Sequence, residues 1–152
     1  MDEFRPRPVA NEVSLEGYQI VPGMMFNRAT DPSMTIWYGS VAFNSVCFST
    51  LNDCAAIQIM VNTKEKKIII IPCPSKDKDA ILWHKPSQKQ KSKKIDCGKF
   101  MQPIFKMWEL DKELHYRTTG RVVSSGGKVM LLFDFNNPEA WKGLKMVNGI
   151  GE

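Results

Sequence analysis

The chain has 152 residues, of which 43% are hydrophobic and 10% aromatic, and its formal net charge is +5. This composition is typical of one globular domain and excludes a disordered chain. No apolar run approaches the roughly 20 residues of a transmembrane helix, and the first residues lack the apolar core of a signal peptide, so we expect a cytoplasmic protein with no membrane partner.

Residues 1–33 are predicted to form an N-terminal arm. They contain four prolines and two glycines, show no sustained hydrophobic period and cannot bury a core alone. The short apolar run at residues 18–21 could add one edge strand. A single globular domain is expected to follow, over residues 34–146.

The first part of this domain, residues 34–73, has the predicted order strand, helix, hairpin. Residues 34–43 are rich in aromatic and β-branched side chains, which favours one extended strand with Gly39 as a candidate bulge. Asn44 is a good N-cap for a short helix over residues 45–51.

A hairpin follows this helix. Residues 55–61 and 68–71 predict its two strands, joined by a polar turn, and Pro72 is expected to end the second strand. Residues 80–84 supply one more predicted strand.

The second part, residues 94–135, repeats the order. Asp96 is a plausible N-cap for an amphipathic helix, in which Pro103 either marks the first turn or causes a kink. Trp108 belongs to the apolar face of this helix and is assigned to the core. The apolar positions of the helix are Phe100, Ile104, Phe105 and Trp108.

The predicted strands of the second part cover residues 114–123 and 129–135, with a Ser-Ser-Gly-Gly turn between them. Residues 136–138 are expected to end the sheet. Residues 139–146 could form one or two helical turns, and residues 147–152 are expected to fray.

The fold prediction is therefore α+β. Two tandem β-α-β-β units, residues 34–73 and 94–135, are joined by a basic bridge, residues 74–93. Because neither unit can bury its apolar face alone, we expect them to pack as a pseudo-twofold, mostly β body of the swapped-hairpin or cradle-loop-barrel kind. A monomeric pseudo-dimer and a homodimer both remain open.

Positive charge is concentrated around the bridge. Residues 76–99 hold eight lysines and three aspartates, a surplus equal to the +5 of the whole chain. This asymmetry favours a polyanionic partner such as duplex or single-stranded DNA. An equally open alternative is a solvated loop that only keeps the protein soluble. The lysines expected to contact phosphates are Lys85, Lys89, Lys91, Lys93 and Lys94.

Other side chains could assist. Arg117 and Arg121 lie four residues apart on one predicted strand, so they should face the same side and could flank a nucleic-acid backbone or simply face solvent. Trp83 is the preferred stacking candidate because it lies beside His84 at the mouth of the lysine-rich segment. The full set of candidate stacking rings is Trp37, Tyr38, Trp83, Trp108 and Trp141.

Metal and cofactor binding are not expected. The four cysteines are dispersed, without a C-x-x-C pair, and the chain has only two histidines. Reduced thiols fit a cytoplasmic location. The cysteines are Cys47, Cys54, Cys73 and Cys97.

An enzymatic activity is not expected either. Asp53 and Glu65, with Lys67, imitate the acid…acid-x-lysine pattern of metal-dependent nucleases, but Glu65 falls at a predicted hairpin tip, which is a poor place for a preorganised ligand. Tyr116 lies in a short strand-like run and is assigned to the core or to a sheet face rather than to a recombinase nucleophile.

Two resemblances bear on function. Residues 39–72 resemble the swapped-hairpin module of AbrB-type transition-state regulators, which bind DNA as dimers. The arginines that this family places around the first strand and loop are replaced here by Ser40, Phe43 and Asn44, so its contact residues do not carry over.

A wider resemblance spans residues 35–141. Short motifs are similar to a small family encoded on prophages and integrative elements of Gram-positive bacteria, whose members are often labelled integrase. The resemblance implies a nucleic-acid-binding accessory or regulatory protein of a mobile genetic element; the alternative is a protein-interaction or structural module. The motifs are Ser40-Val41-Ala42-Phe43-Asn44, Ile70-Ile71-Pro72-Cys73, Lys76-Asp77-Lys78-Asp79-Ala80, Tyr116-Arg117 and Leu131-Leu132-Phe133-Asp134.

Overall fold

Two antiparallel sheets and two short helices make up the part of the chain that the computed structural model describes, residues 12–21, 31–86 and 92–148. The predicted α+β, mostly β class is confirmed. In chain order the elements are β1 (Ser33–Trp37), β2 (Ser40–Asn44), α1 (Ser45–Thr50), β3 (Ala56–Asn62), β4 (Lys67–Cys73), β5 (Ile81–Leu82), β6 (Ser92–Asp96), α2 (Gly98–Met107), β7 (His115–Thr119), β8 (Arg121–Ser125), β9 (Lys128–Asp134), β10 (Glu139–Lys142) and β11 (Lys145–Met146).

The six-stranded sheet has the order β11-β10-β7-β1-β2-β6, and the five-stranded sheet has the order β5-β3-β4-β9-β8. Strands from the two predicted units meet at β1–β7, at β2–β6 and at β4–β9, all antiparallel. The sheets differ in their remaining strands, because β10 and β11 extend the first sheet beyond β7, whereas β3 and β8 flank the β4–β9 pair on its two sides. The pseudo-twofold repeat stays a prediction.

The core lies between the two sheets. Phe43 on β2 reaches Phe133 on β9, with ring centroids 6.4 Å apart, and both side chains are buried. Helix α2 closes one end of the core with Met101, Ile104 and Phe105. Burial of each such large side chain stabilises the fold by about 1.5–3 kcal/mol. Trp108 is buried after α2, as predicted.

The predicted strand over residues 34–43 is instead a tight hairpin, with Tyr38 and Gly39 between β1 and β2. The buried positions change from even to odd numbers across this turn, from Ile36 to Val41. A regular strand keeps one parity, so the change marks an interruption of the strand, and the pairing of Trp37 with Ser40 shows that the interruption is a two-residue turn.

The predicted strand over residues 114–123 is also wrong, because β7 and β8 belong to different sheets. Gly120 lies between them, and its amide donates to the carbonyl of Pro32 at 2.8 Å. A Cβ atom at this position would lie 2.5 Å from the ring of Phe133. The chain can therefore cross between sheets here because the crossing residue has no side chain.

Pro72 does not end β4, which continues to Cys73. Strand β9 pairs with β4 only as far as Ile70, so Pro72 lies where β4 has a single neighbour. A proline is tolerated in a strand where one edge is open, because the missing donor costs no ladder hydrogen bond.

The N-cap of α2 is Cys97, not Asp96, which ends β6. The amide of Cys97 donates to the carbonyl of Gly39 at 2.9 Å, which continues the β2–β6 contact up to the helix. Pro103 lies inside α2. At the first helix Asn44 occupies the N-cap as predicted, but its side chain makes no capping bond there.

Residues 136–138 do not end the sheet, and residues 139–146 form the β10–β11 hairpin rather than helical turns. The first two residues of the predicted frayed tail are held against β10. Val147 N donates to Ala140 O at 2.8 Å, and Asn148 Oδ1 accepts from Ala140 N. Residues 149–152 lie outside the described residues.

The predicted edge strand at residues 18–21 and most of the predicted strand at residues 80–84 are absent. Residues 18–21 form no strand, and within residues 80–84 only Ile81 and Leu82 pair with a neighbour. Most of the arm, residues 1–11 and 22–30, lies outside the described residues. Neither of the two helices is long and apolar enough to span a membrane.

Candidate nucleic-acid interface

The lysine-rich segment runs directly into a strand. Lys93 and Lys94, predicted in or beside a loop, belong to β6, the edge strand of the six-stranded sheet. Lys85 is exposed after β5. Lys89 and Lys91 lie outside the described residues, so the structure locates three of the five predicted phosphate contacts.

The outer face of the six-stranded sheet carries a row of aromatic rings. Trp37 on β1 stacks on His115 of β7, with centroids 5.2 Å apart, and His115 stacks on Trp141 of β10 at 6.5 Å. Each strand turns these rings outward because it buries the residue beside them. The buried neighbours are Ile36, Tyr116 and Ala140. We call Trp37, His115 and Trp141 the aromatic row.

Lys94 extends the aromatic row toward the basic edge. Its Nζ lies 4.5 Å from the centroid of the Trp37 ring, within the range of a cation–π contact. It approaches from the side of β2 and β6, whereas His115 approaches from β7, on the other edge of β1. A flexible, exposed lysine therefore meets an aromatic ring at the point where the basic segment joins the sheet.

The surroundings of His115 lower the pKa of its side chain. Partial burial between the two indoles lowers the pKa of the imidazole, and the nearby Lys94 ammonium lowers this pKa further. The cation that contacts the Trp37 ring is Lys94.

Arg117 and Arg121 do not share a strand or a face. Arg117 lies on β7 and pairs with Glu139 of β10, with Nη1 3.2 Å from Oε1, while Arg121 lies on β8 in the other sheet. The same Glu139 oxygen accepts from Trp141 Nε1 at 3.0 Å. Arg117 therefore holds one end of the aromatic row in place, and its charge is already balanced.

Trp83, the preferred stacking candidate, is fully buried. Its ring makes edge contacts with Phe43 and Phe48, and its Nε1 donates to the carbonyl of Cys54 at 2.9 Å. The rings that enclose Trp83 come from β2 and α1, not from its neighbours in the chain. Trp83 is a core residue and offers no ring face to a base.

Sequence reasoning missed His115 as a member of the site. The signal was present but non-local, because His115, Trp37 and Trp141 become neighbours only through the pairing of β7 with β1 and β10. Aromatic residues at such separations carry no shared period, and cross-strand pairing alone brings them together.

The nuclease-like acids are far apart. Asp53 precedes β3 and lies 3.3 Å from His84, whereas Glu65 follows β3 and lies 3.3 Å from Lys67. The seven residues of β3 separate them by about 20 Å at the usual strand rise. Across the described ranges no three His, Cys, Asp or Glu side chains converge as metal ligands would.

Tyr116 is buried, as predicted, and its hydroxyl accepts the amide of Asp111 at 2.9 Å. The hydroxyl therefore fixes the turn that precedes β7. The four cysteines, all of which lie in the described ranges, are free thiols, and burial raises the pKa of Cys47 to about 12.

A scan against protein-family models, a search of curated proteins and a search of solved structures each found no match to this chain. The aromatic row and the lysines beside it are therefore the basis for a functional proposal.

Proposed function

We propose that this protein binds nucleic acid, with the lysines of the bridge and of β6 contacting the phosphate backbone. The observation that carries the proposal is the contact of Lys94 with Trp37, because it places one lysine of the basic segment directly on the aromatic row. Phosphates attract lysine ammonium groups, and the half-buried rings on the outer face of the sheet offer stacking surfaces to bases. In this proposal the protein acts in the cytoplasm as an accessory or regulatory factor of a mobile genetic element, without catalysis.

Lysine suits this role better than it suits base recognition. An ammonium group is a point charge on a flexible stem, whereas bidentate reading of a guanine needs the planar fork of arginine. The chain has few arginines, and Arg117 is engaged by Glu139. We therefore expect binding with weak sequence preference and strong salt dependence.

A binding screen against duplex DNA, single-stranded DNA and RNA at several salt concentrations tests the proposal. Engagement of three to five phosphates predicts a log–log salt slope of about −3 to −4.5 on duplex DNA. Glutamine at Lys89, Lys91, Lys93 and Lys94 should weaken binding to all sequences alike and flatten the slope. Unchanged affinity and slope would remove these lysines from the binding surface.

A charge-matched pair of variants makes the test sharper. K93Q/K94Q and K64Q/K128Q each remove two positive charges, but Lys64 and Lys128 lie at the hairpin turns of the five-stranded sheet, away from the aromatic row. The first pair should lose affinity and the second should not. Equal losses would indicate a general charge effect.

The alternative is a protein-interaction or structural module. The outer face of the five-stranded sheet favours it, because Met60, Ile69 and Leu132 line an apolar groove of about 340 Å³ there, with Met60 45% exposed. A protein that ignores every probe at low salt would support this alternative.

A further inference from the structure

A second basic surface lies around the β1–β2 turn. An open groove of about 700 Å³ runs between Tyr38 and helix α2, and three lysines line it: Lys99, Lys106 and Lys112. Its volume is within the roughly 300–1,000 Å³ of sites that hold small ligands, which is the size class of one or two nucleotides.

No acidic side chain lines this groove. Asp111 and Glu113 flank Lys112 in the chain, and Asp111 Oδ1 accepts the backbone amide of Glu113 at 2.9 Å. Among the described residues, none of the three groove lysines forms an ion pair. The groove therefore presents three ammonium groups and no carboxylate in its lining, which is an arrangement that attracts anions.

Tyr38 connects the groove with the aromatic row. It follows Trp37 directly in the chain, so the two rings lie on opposite sides of the turn. Tyr38 is 39% exposed and contacts Phe105 of α2 edge to face, with centroids 5.7 Å apart. The aromatic row and the groove therefore lie on the two sides of the β1–β2 turn, with Trp37 on one side and Tyr38 on the other.

We propose that the nucleic acid bound here is single-stranded, and that the strand passes from the aromatic row over the β1–β2 turn into the lysine groove. A base that stacks on Trp37 takes the position of the Lys94 ammonium, which then pairs with the phosphate of that nucleotide. The phosphates that follow lie against Lys99, Lys106 and Lys112, with Tyr38 beneath the next base. This inference rests on the proposed function and extends it.

A duplex does not fit this arrangement. The faces of paired bases are covered by their neighbours in the stack, so exposed rings can bind them only after the strands separate. Stacking on tryptophan or tyrosine also tolerates every base, because every base has a flat aromatic face. Single-stranded DNA and RNA share the required chemistry.

The test uses the full chain and fluorescence anisotropy, with labelled single strands of about 15 nucleotides, in DNA and RNA form, and a duplex of equal length. K99Q/K106Q/K112Q should bind single strands about tenfold more weakly or worse, and its salt slope should fall by about 2, since each phosphate contact on a single strand contributes about 0.7. The charge-matched control K64Q/K66Q/K128Q should retain affinity and slope.

Trp37→Leu tests the stacking step separately. It should weaken binding by about five- to 100-fold with no change in salt slope, because stacking releases no counterions, while Trp37→Phe should keep most of the affinity. If Trp37→Leu does not fold, the exposed groove lysines still decide the outcome.

The two proposals fail in different ways. Binding of duplex as tight as that of single strands, or a groove variant that matches its control, overturns the single-strand path while nucleic-acid binding stands. The absence of any binding at low salt overturns the proposed function itself. Tighter binding of single-stranded DNA or of single-stranded RNA than of duplex supports the path, and the tighter of the two identifies which nucleic acid follows it.

Discussion

At the scale of single residues, His115 shows how neighbours set chemistry. The imidazole lies between Trp37 and Trp141, close to Lys94, and both partial burial and the ammonium lower its pKa. The sequence places His115 in a strand but says nothing of these neighbours, because β1 and β10 supply them from distant parts of the chain. Composition could predict a basic, aromatic protein; it could not predict which rings would meet.

We predict that His115 makes stability depend on pH. Because the pKa of His115 is lowered in the folded protein, the unfolded chain binds the proton more readily. The free energy of unfolding is therefore undiminished by this group above its ordinary pKa of 6.5. It decreases as the pH falls from 6.5 through the pKa of the folded protein. Urea unfolding at several pH values, for the parent and for His115→Gln, checks this. The parent should lose stability relative to the variant on acidification.

A direct titration of the His115 ring by NMR supplies the contrary outcome. A pKa above 6.5 would contradict the prediction, and would indicate that the two indole faces stabilise the imidazolium more than burial and Lys94 destabilise it.

At the scale of elements, local patterns predicted what local forces determine. The β3–β4 hairpin and the α2 helix follow from the alternation and the helical spacing of their apolar residues, and both are present. The turn at Gly39 and the break at Gly120 were missed, because strand propensity is high on both sides of each position. The change of buried parity marked the turn at Gly39 locally, whereas the change of sheet at Gly120 depends on packing against Phe133.

Gly120 is the sharpest test of that packing. In Gly120→Ala the new Cβ would lie 2.5 Å from the ring of Phe133, a fully buried residue with little room to move. We expect a loss of about 1–3 kcal/mol in the free energy of unfolding, measured by urea denaturation. Gly39→Ala is the matched control, since its Cβ would meet no atom within 4 Å, and it should change stability by less than about 0.5 kcal/mol.

A Gly120→Ala variant as stable as the parent would contradict the close packing of Gly120 on Phe133. It would also imply that the chain can cross between β7 and β8 with a side chain at this point.

At the scale of the whole molecule, each sheet is built from both halves of the chain. Strands β1 and β2 pair with β7 and β6 in one sheet, and β4 pairs with β9 in the other. The predicted order of strand, helix and hairpin gave the elements but not these partners, since pairing between distant strands leaves no trace in a single sequence. The sequence predicts the excess of lysines and the mostly β content of the chain. It does not predict that Lys94 and Trp37 meet on one face of a sheet.

We predict that neither half folds alone. Separate polypeptides covering residues 1–88 and 89–152 should each give poorly dispersed NMR spectra, because each lacks strands that complete both sheets. An equimolar mixture should recover the dispersion of the intact chain. A folded homodimer of either half would contradict this prediction, and would instead favour the pseudo-twofold repeat.

The position of Lys93 and Lys94 on β6 has a consequence for solubility. Strand β6 ends the six-stranded sheet, and among the described residues no strand pairs with its outer edge, so the backbone groups of that edge can pair with another extended chain. Charged side chains on an edge strand oppose such pairing, because two copies would bring like charges together. The lysines that we assign to phosphate contacts therefore also oppose edge-to-edge aggregation of the sheet. A bound polyanion that neutralises these lysines would have to cover the edge of β6 itself to prevent such pairing.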